Sequence, residues 1–246
     1  TVIPNAQRLI GNVRLLHEGS IMTCDSAWYY SDRNVVDAFG NVHIVSNDTL
    51  HMYASYINYN SDLSLAKARH NVSLTDPSMT LTTDSLDYDM ANDIGYYNFG
   101  GKIVDSTNVL TSIIGRYYTQ TKEVFFKDSV VVVHKDFTIY SDTLKYNTET
   151  EVAHIVGPTR IIGDSTYIYS ENGWYNTKSK ISQLQKNSIL KRADTQMQGD
   201  TIYFDDNDAS GWARGNVIIN DFKNQVIVAG HHATYNDFSQ NALVRD

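Results

Sequence analysis

Gly40-Asn41-Val42-His43-Ile44-Val45 is the stretch from which the rest of the chain can be read. Gly11-Asn12-Val13 and Gly215-Asn216-Val217 repeat its opening, and His70-Asn71-Val72 repeats it with the glycine replaced. Weaker copies fall between them, at Gly100-Gly101-Lys102, Ser129-Val130-Val131, Pro158-Thr159-Arg160 and Asn187-Ser188-Ile189. The eight starts (11, 40, 70, 100, 129, 158, 187 and 215) lie 28 to 30 residues apart. Self-similarity at a fixed period of that size marks a repeat architecture. A second landmark keeps the same register: Asp25-Ser26-Ala27-Trp28-Tyr29, Asp84-Ser85-Leu86-Asp87-Tyr88, Asp142-Thr143-Leu144-Lys145-Tyr146 and Asp200-Thr201-Ile202-Tyr203-Phe204.

Composition decides what each repeat is made of. Of the 28 acidic residues 23 are Asp and 5 are Glu, and the chain holds 17 Tyr. Asp, Asn, Ser and Thr compete with helical backbone bonds and favour turns, while Tyr, Val, Ile and Thr suit a pleated, half-buried surface. No window carries a helical apolar stripe, so the chain is all-β. Each copy divides into one strand through the Gly-Asn-Val signature and a second through the Asp-x-Leu-x-Tyr segment, about sixteen strands in all. The first strand ends at an acidic turn: Asp48, Asp76, Asp105, Asp136, Asp164, Asp194 and Asp221 in successive copies.

Side-chain parity predicts a bend. Leu81 is odd while Leu86 and Tyr88 are even; Ile139 gives way likewise to Leu144 and Tyr146, and Met197 to Ile202 and Phe204. One extra residue at the Asp-Ser/Thr point has the effect of a β-bulge or corner. Every second strand is therefore expected to bend there, its Asp accepting nearby backbone N–H bonds. The result is an elongated antiparallel solenoid curled around an apolar interior, a single repeat domain over 1–246. Ala6-Gln7-Arg8-Leu9-Ile10 and Ala242-Leu243-Val244-Arg245-Asp246 read as continuations of the array, which suits a piece of a longer protein or ends that meet partners.

Several function classes are excluded or weakened. A net charge of −8 without a Lys/Arg block argues against nucleic acid. No apolar run is long enough to form a membrane-spanning helix. Thr1-Val2-Ile3-Pro4 shows neither a basic n-region nor an apolar h-region, so any targeting peptide lies outside this sequence. Cys24 is the single cysteine, expected as a buried small hydrophobe, and it allows neither a disulfide framework nor a cysteine zinc site. The recurrent Asp25, Asp84, Asp142 and Asp200 could be paired carboxylates for glycoside hydrolysis. Their recurrence in register favours a structural corner, since catalysis needs one pair. His231-His232 would point to opposite faces, and the other histidines show no ligand spacing. No catalytic group, metal site or cofactor is expected.

The cadence Gly-Asn-Val-x-Ile, an Asp turn, then Thr-Leu-Thr-x-Asp-x-Leu-x-Tyr-Asn resembles the OstA-like family. The match is best at 40–69, 70–99 and 129–157 and covers nearly the whole chain in weaker form. The chain departs from the family pattern in its length, its Tyr and Asn content and its lack of clear caps. The resemblance implies a β-jellyroll open along one side, in the periplasm at the inner or outer membrane. Its implied cargo is lipopolysaccharide, held by the lipid A acyl chains. Its implied partners are other lipopolysaccharide-transport proteins, joined by end-to-end strand addition, and further copies of itself. On this basis the inward set Leu81, Leu86, Tyr88, Ile139, Leu144, Tyr146, Ile202 and Phe204 lines a lipid groove. On the residues alone the same set could fill a dry core, as in a structural or adhesion array. A carbohydrate-active solenoid would instead concentrate acidic residues in one or two copies.

Overall fold

The computed structural model describes residues 5–17, 19–46, 48–236 and 241–246; the opening Thr1-Val2-Ile3-Pro4 lies outside them. All regular structure among the described residues is β, as nineteen strands, and every pairing described below is antiparallel. The chain divides into two compact units, Thr1–Thr121 and Lys122–Asp246.

The first unit holds β1 (Ala6–His17), β2 (Ser20–Tyr30), β3 (Val35–Ser46), β4 (Leu50–Asn60), β5 (Leu65–Thr75), β6 (Met79–Asp89), β7 (Ile94–Tyr97), β8 (Gly101–Asp105), β9 (Asn108–Ser112) and β10 (Ile114–Tyr118). From β1 to β6 each strand pairs with the next. In the fourth copy both strands are broken: β6 pairs with β7 and β8 in turn, β8 with β9, and β7 with β10. The second unit holds β11 (Glu123–His134), β12 (Phe137–Asn147), β13 (Val152–Gly163), β14 (Thr166–Asn176), β15 (Ile181–Arg192), β16 (Thr195–Asp205), β17 (Ser210–Asp221), β18 (Val226–Asn236) and β19 (Asn241–Arg245), each paired with the next. The two breaks and the short β19 account for the strands beyond the sixteen expected.

The bend lies in both strands of a copy, not in every second one. In β3 the register slips between Phe39 and Val42, where Gly40 and Asn41 both take positive φ, 69° and 44°. His70 and Asn71 (62°, 56°), Asp128 and Ser129 (62°, 54°), Lys186 and Asn187 (67°, 57°), and Gly215 and Asn216 (69°, 50°) do the same. Two successive left-handed residues turn the strand and restart its alternation. The facing strand slips at the acidic point, for example between Thr23 and Ser26 and between Ser141 and Leu144. Glycine has a second reason to stand at 40 and 215. A Cβ there would press on the Asp25 or Asp200 carboxylate, both in the preceding strand.

Two margins flank this corner. Along one, a left-handed turn residue offers its carbonyl to the next such turn. Ser61 N–H donates to Asn34, Met90 to Ser64 and Thr119 to Asp93, at 2.8–3.1 Å. Thr148, Thr177 and Asp206 donate in the same way to Lys122, Glu151 and Lys180 in the second unit. This carbonyl ladder links successive turns of each unit. Along the other margin three of the seven expected acidic turns close on their own carboxylates. Asp76 accepts from Ser78 and Met79 N–H, Asp105 from Thr107 and Asn108, and Asp221 from Asn224.

Candidate functional site

Alternation puts every second side chain on the inner face, and register then aligns these side chains from strand to strand. Nearest the Asp margin of the first unit, Leu15, Met22, Ile44, Met52, Leu74, Leu81, Ile103 and Leu110 are successive cross-strand neighbours. The second unit repeats this aliphatic ladder with Val132, Ile139, Ile161, Ile168, Leu190, Met197, Ile219 and Val228. Across the corner a second ladder runs through Leu9, Ala27, Ala38, Ile57, Ala68 and Leu86 in the first unit. In the second unit it runs through Phe126, Leu144, Ile155, Gly173, Leu184, Ile202, Ala213 and Ala233. Ala27, Ile57 and Ile202 are at most 1% exposed, so this ladder is the floor of the face.

A third ladder lies toward the carbonyl-ladder margin and is aromatic. Tyr29, Val36, Tyr59, Ala66, Tyr88, Gly95 and Tyr117 follow one another in the first unit. Tyr146, Ala153, Tyr175, Ser182, Phe204, Gly211 and Tyr235 do so in the second. The tyrosines are mostly half-buried, while Phe204 is buried and stacks on Tyr235 with ring centroids 5.8 Å apart. The Tyr88 hydroxyl donates to Asp93 at 3.2 Å, and burial with that acid nearby pushes its pKa up. Burial and Asp206 do the same to Tyr175.

The eight residues expected to face inward thus fall on the three ladders of their own units. Leu81 and Ile139 lie in the aliphatic ladder, Leu86, Leu144 and Ile202 in the floor, and Tyr88, Tyr146 and Phe204 in the aromatic ladder. Leu81, Leu86, Leu144, Ile202 and Phe204 are buried; Tyr88, Ile139 and Tyr146 are half-buried. Lys145 faces outward and is exposed, whereas Asp87, also on the outer face, is largely covered and ion-paired with Arg69.

Two inner-face features were missed. The residue before each corner acid is small, and where it carries a donor it satisfies the carbonyl two residues on. Cys24 donates to Ser26, Thr83 to Ser85, Ser141 to Thr143 and Ser170 to Asn172, and Ser112, which precedes Ile113 in place of an acid, donates to Ile114, all at 2.6–3.3 Å. A bulge disrupts the ladder there, and these side chains supply the missing bond. Burial pushes the Cys24 thiol up. The recurrence of Cys, Thr or Ser before the acid was the available signal. The other feature is Tyr97, only 3% exposed, whose hydroxyl meets Ser112 at 2.7 Å. Its ring lies over Gly101 and Gly115, where any Cβ would strike it. Two glycines across from a tyrosine are the trace it leaves in the sequence.

The corner acids meet the expectation at one position and depart from it at others. Asp84 accepts a backbone bond, from Asn71 at 3.3 Å. Asp25, Glu171 and Asp200 instead accept from the side-chain amides of Asn41, Asn187 and Asn216, each at 2.9 Å. The left-handed Asn of the signature aims its amide at the acid of the preceding strand. On the outer face, His43 Nε2 and His51 Nδ1 are 3.1 Å apart, and Tyr53 stacks on His43. Among the described residues no group of three or more His, Cys, Asp or Glu could hold a metal ion.

Comparison with known proteins follows this geometry. A family model described as OstA-like protein matches residues 2–142. No match is found among curated proteins. Among solved structures, the chain is similar to LptH, described as the LptA-homologous periplasmic component of the lipopolysaccharide transport device from Pseudomonas aeruginosa. Sequence identity is 14% and the TM-score 0.36, over 50% of this chain and 82% of that one.

Proposed function

The chain belongs to the OstA-like family, and from that premise we propose that it is a periplasmic carrier of lipopolysaccharide that shelters the acyl chains on its inner face. The observation that carries this reading is the unbroken aliphatic ladder of each unit, apolar at every rung. Burying a methylene is worth about 0.8 kcal/mol, so a twelve-carbon chain uncovered in water costs about 10 kcal/mol. A carrier needs continuous apolar lining and no catalytic group. The corner acids Asp25, Glu171 and Asp200 are tied to asparagine amides, Asp84 to the Asn71 backbone and Asp142 to the Thr143 hydroxyl, so they read as structural. Partners would add strands end to end to the array.

A dry structural array is the second reading, favoured by the near-complete burial of Ala27, Ile57 and Ile202. A photoreactive aromatic residue at Tyr88 or Tyr146 separates the two, in cells making lipopolysaccharide. Glycolipid adducts from these positions, and from Leu86 and Leu144, but not from outward Thr82 or Lys145, are expected of a carrier. Absence of adducts at all four inner positions would put the dry array ahead.

A further inference from the structure

The inner face is asymmetric, and the asymmetry says how an amphiphile would lie on it. At equal remove from the corner, one side of every repeat carries an aliphatic residue and the other an aromatic one. Seven of the eight aromatic positions are Tyr, with Phe204 the exception. Most residues between them on neighbouring strands are small, such as Ala66, Gly95 and Ala153, with Val36 the larger exception. Backbones two strands apart stand about 10 Å from one another, and over the glycine at 211 the Phe204 and Tyr235 rings close to 5.8 Å.

Packing alone does not ask for the hydroxyl. Phe204 fills the same position without one, and the aliphatic ladder closes the opposite side with none. Tyrosine is suited to a boundary, its ring apolar and its hydroxyl a hydrogen-bond donor. The hydroxyl of Tyr88 reaches the turn residue Asp93, so the polar end of this side chain points to the margin and not to the floor. The turns along this margin carry acids (Asp32, Asp62, Asp93, Glu149, Glu151 and Asp206) interspersed with Arg33, Lys122, Lys178 and Lys180, and Asp206 is paired with Arg192 at 3.0 Å, so the margin offers no block of one charge.

We propose that the tyrosine ladder is the subsite for the uncharged polar groups at the head of the acyl chains, the ester and amide carbonyls, with the hydrocarbon running over the floor toward the aliphatic side. This rests on the carrier reading above. Phenol hydroxyls donate, acyl carbonyls accept, and the rings cover the first methylenes.

The test uses the whole chain and two synthetic probes: a glucosamine bearing twelve-carbon ester and amide chains, and its dialkyl ether analogue without carbonyls. Tyr117→Phe and Tyr146→Phe keep the ring, and Tyr53→Phe on the outer face serves as control. Each inner variant is expected to weaken the acyl probe by a factor of about 3 to 10, the worth of one hydrogen bond. The ether probe should change less than about twofold, and the control should leave both probes unchanged. Equal effects on the two probes, or none on either, would overturn the subsite and leave the carrier standing. If the unaltered chain binds neither probe, the carrier reading falls and the subsite with it.

Discussion

At the scale of single residues, the corner depends on side chains that close bonds the bulge opens. Ser170 is fully buried; its hydroxyl donates its one hydrogen to the Asn172 carbonyl at 2.6 Å, lies 2.9 Å from the Gln185 carbonyl, and accepts from Gln185 N–H at 3.2 Å. Ser170→Ala leaves buried partners unmet and is expected to cost about 1–3 kcal/mol by urea denaturation. Asp25→Ala removes an acceptor from the exposed Asn41 amide, where water can replace it, and should cost well under half as much. Equal costs would mean that the hydroxyl is not what closes the corner. His43 offers a test by pH. Burial, and after it the charge of His51, lowers the pKa of His43 below the ordinary histidine value. The unfolded chain then binds more protons than the folded one as pH falls through about 6.5. Stability is therefore whole above that value, declines below it, and levels off under the folded pKa. His43→Gln should flatten the dependence of Tm between pH 7.5 and 5.5; an unchanged slope would assign it to other groups.

At the scale of the strand, the fourth copy is the weak place. Its two strands are interrupted at 98–100 and at Ile113, and Phe99 stands 81% exposed. Gly100 N–H donates to the Ile113 carbonyl across the gap at 2.8 Å, and Tyr97 fills the space left by Gly101 and Gly115. Hydrogen exchange should be faster over β7 to β10 than over β11 and β12, since local opening follows local contact density. Equal protection would show that Tyr97 fully compensates. This copy also marks the limit of what could be read beforehand. Period, strand content and inward parity follow from alternation and spacing, which local physics controls, so Leu81, Leu144 and Ile202 were legible. The doubled left-handed pair at Gly40-Asn41 was not, because positive φ at Asn leaves no parity trace apart from its partner strand. Nor was the split between aliphatic and aromatic sides, which only cross-strand register assembles from residues a repeat apart.

At the scale of the molecule, the contacts of a repeat array fall between neighbours, so a defect should stay near where it is made. Ile57 and Ile202 test this, being fully buried floor residues, one in Thr1–Thr121 and the other in Lys122–Asp246. Truncating either to Ala removes buried methylenes and leaves a cavity, at a cost of about 2–5 kcal/mol. Ile57→Ala is expected to lower exchange protection through β2 to β6 while β13 to β18 keep theirs, and Ile202→Ala to do the reverse. The double variant should then sum the two within about 0.5 kcal/mol, as distant independent sites do. Loss of protection in both units from one substitution would contradict this, because a repeat array that unfolds as one body must pass the defect along its whole length.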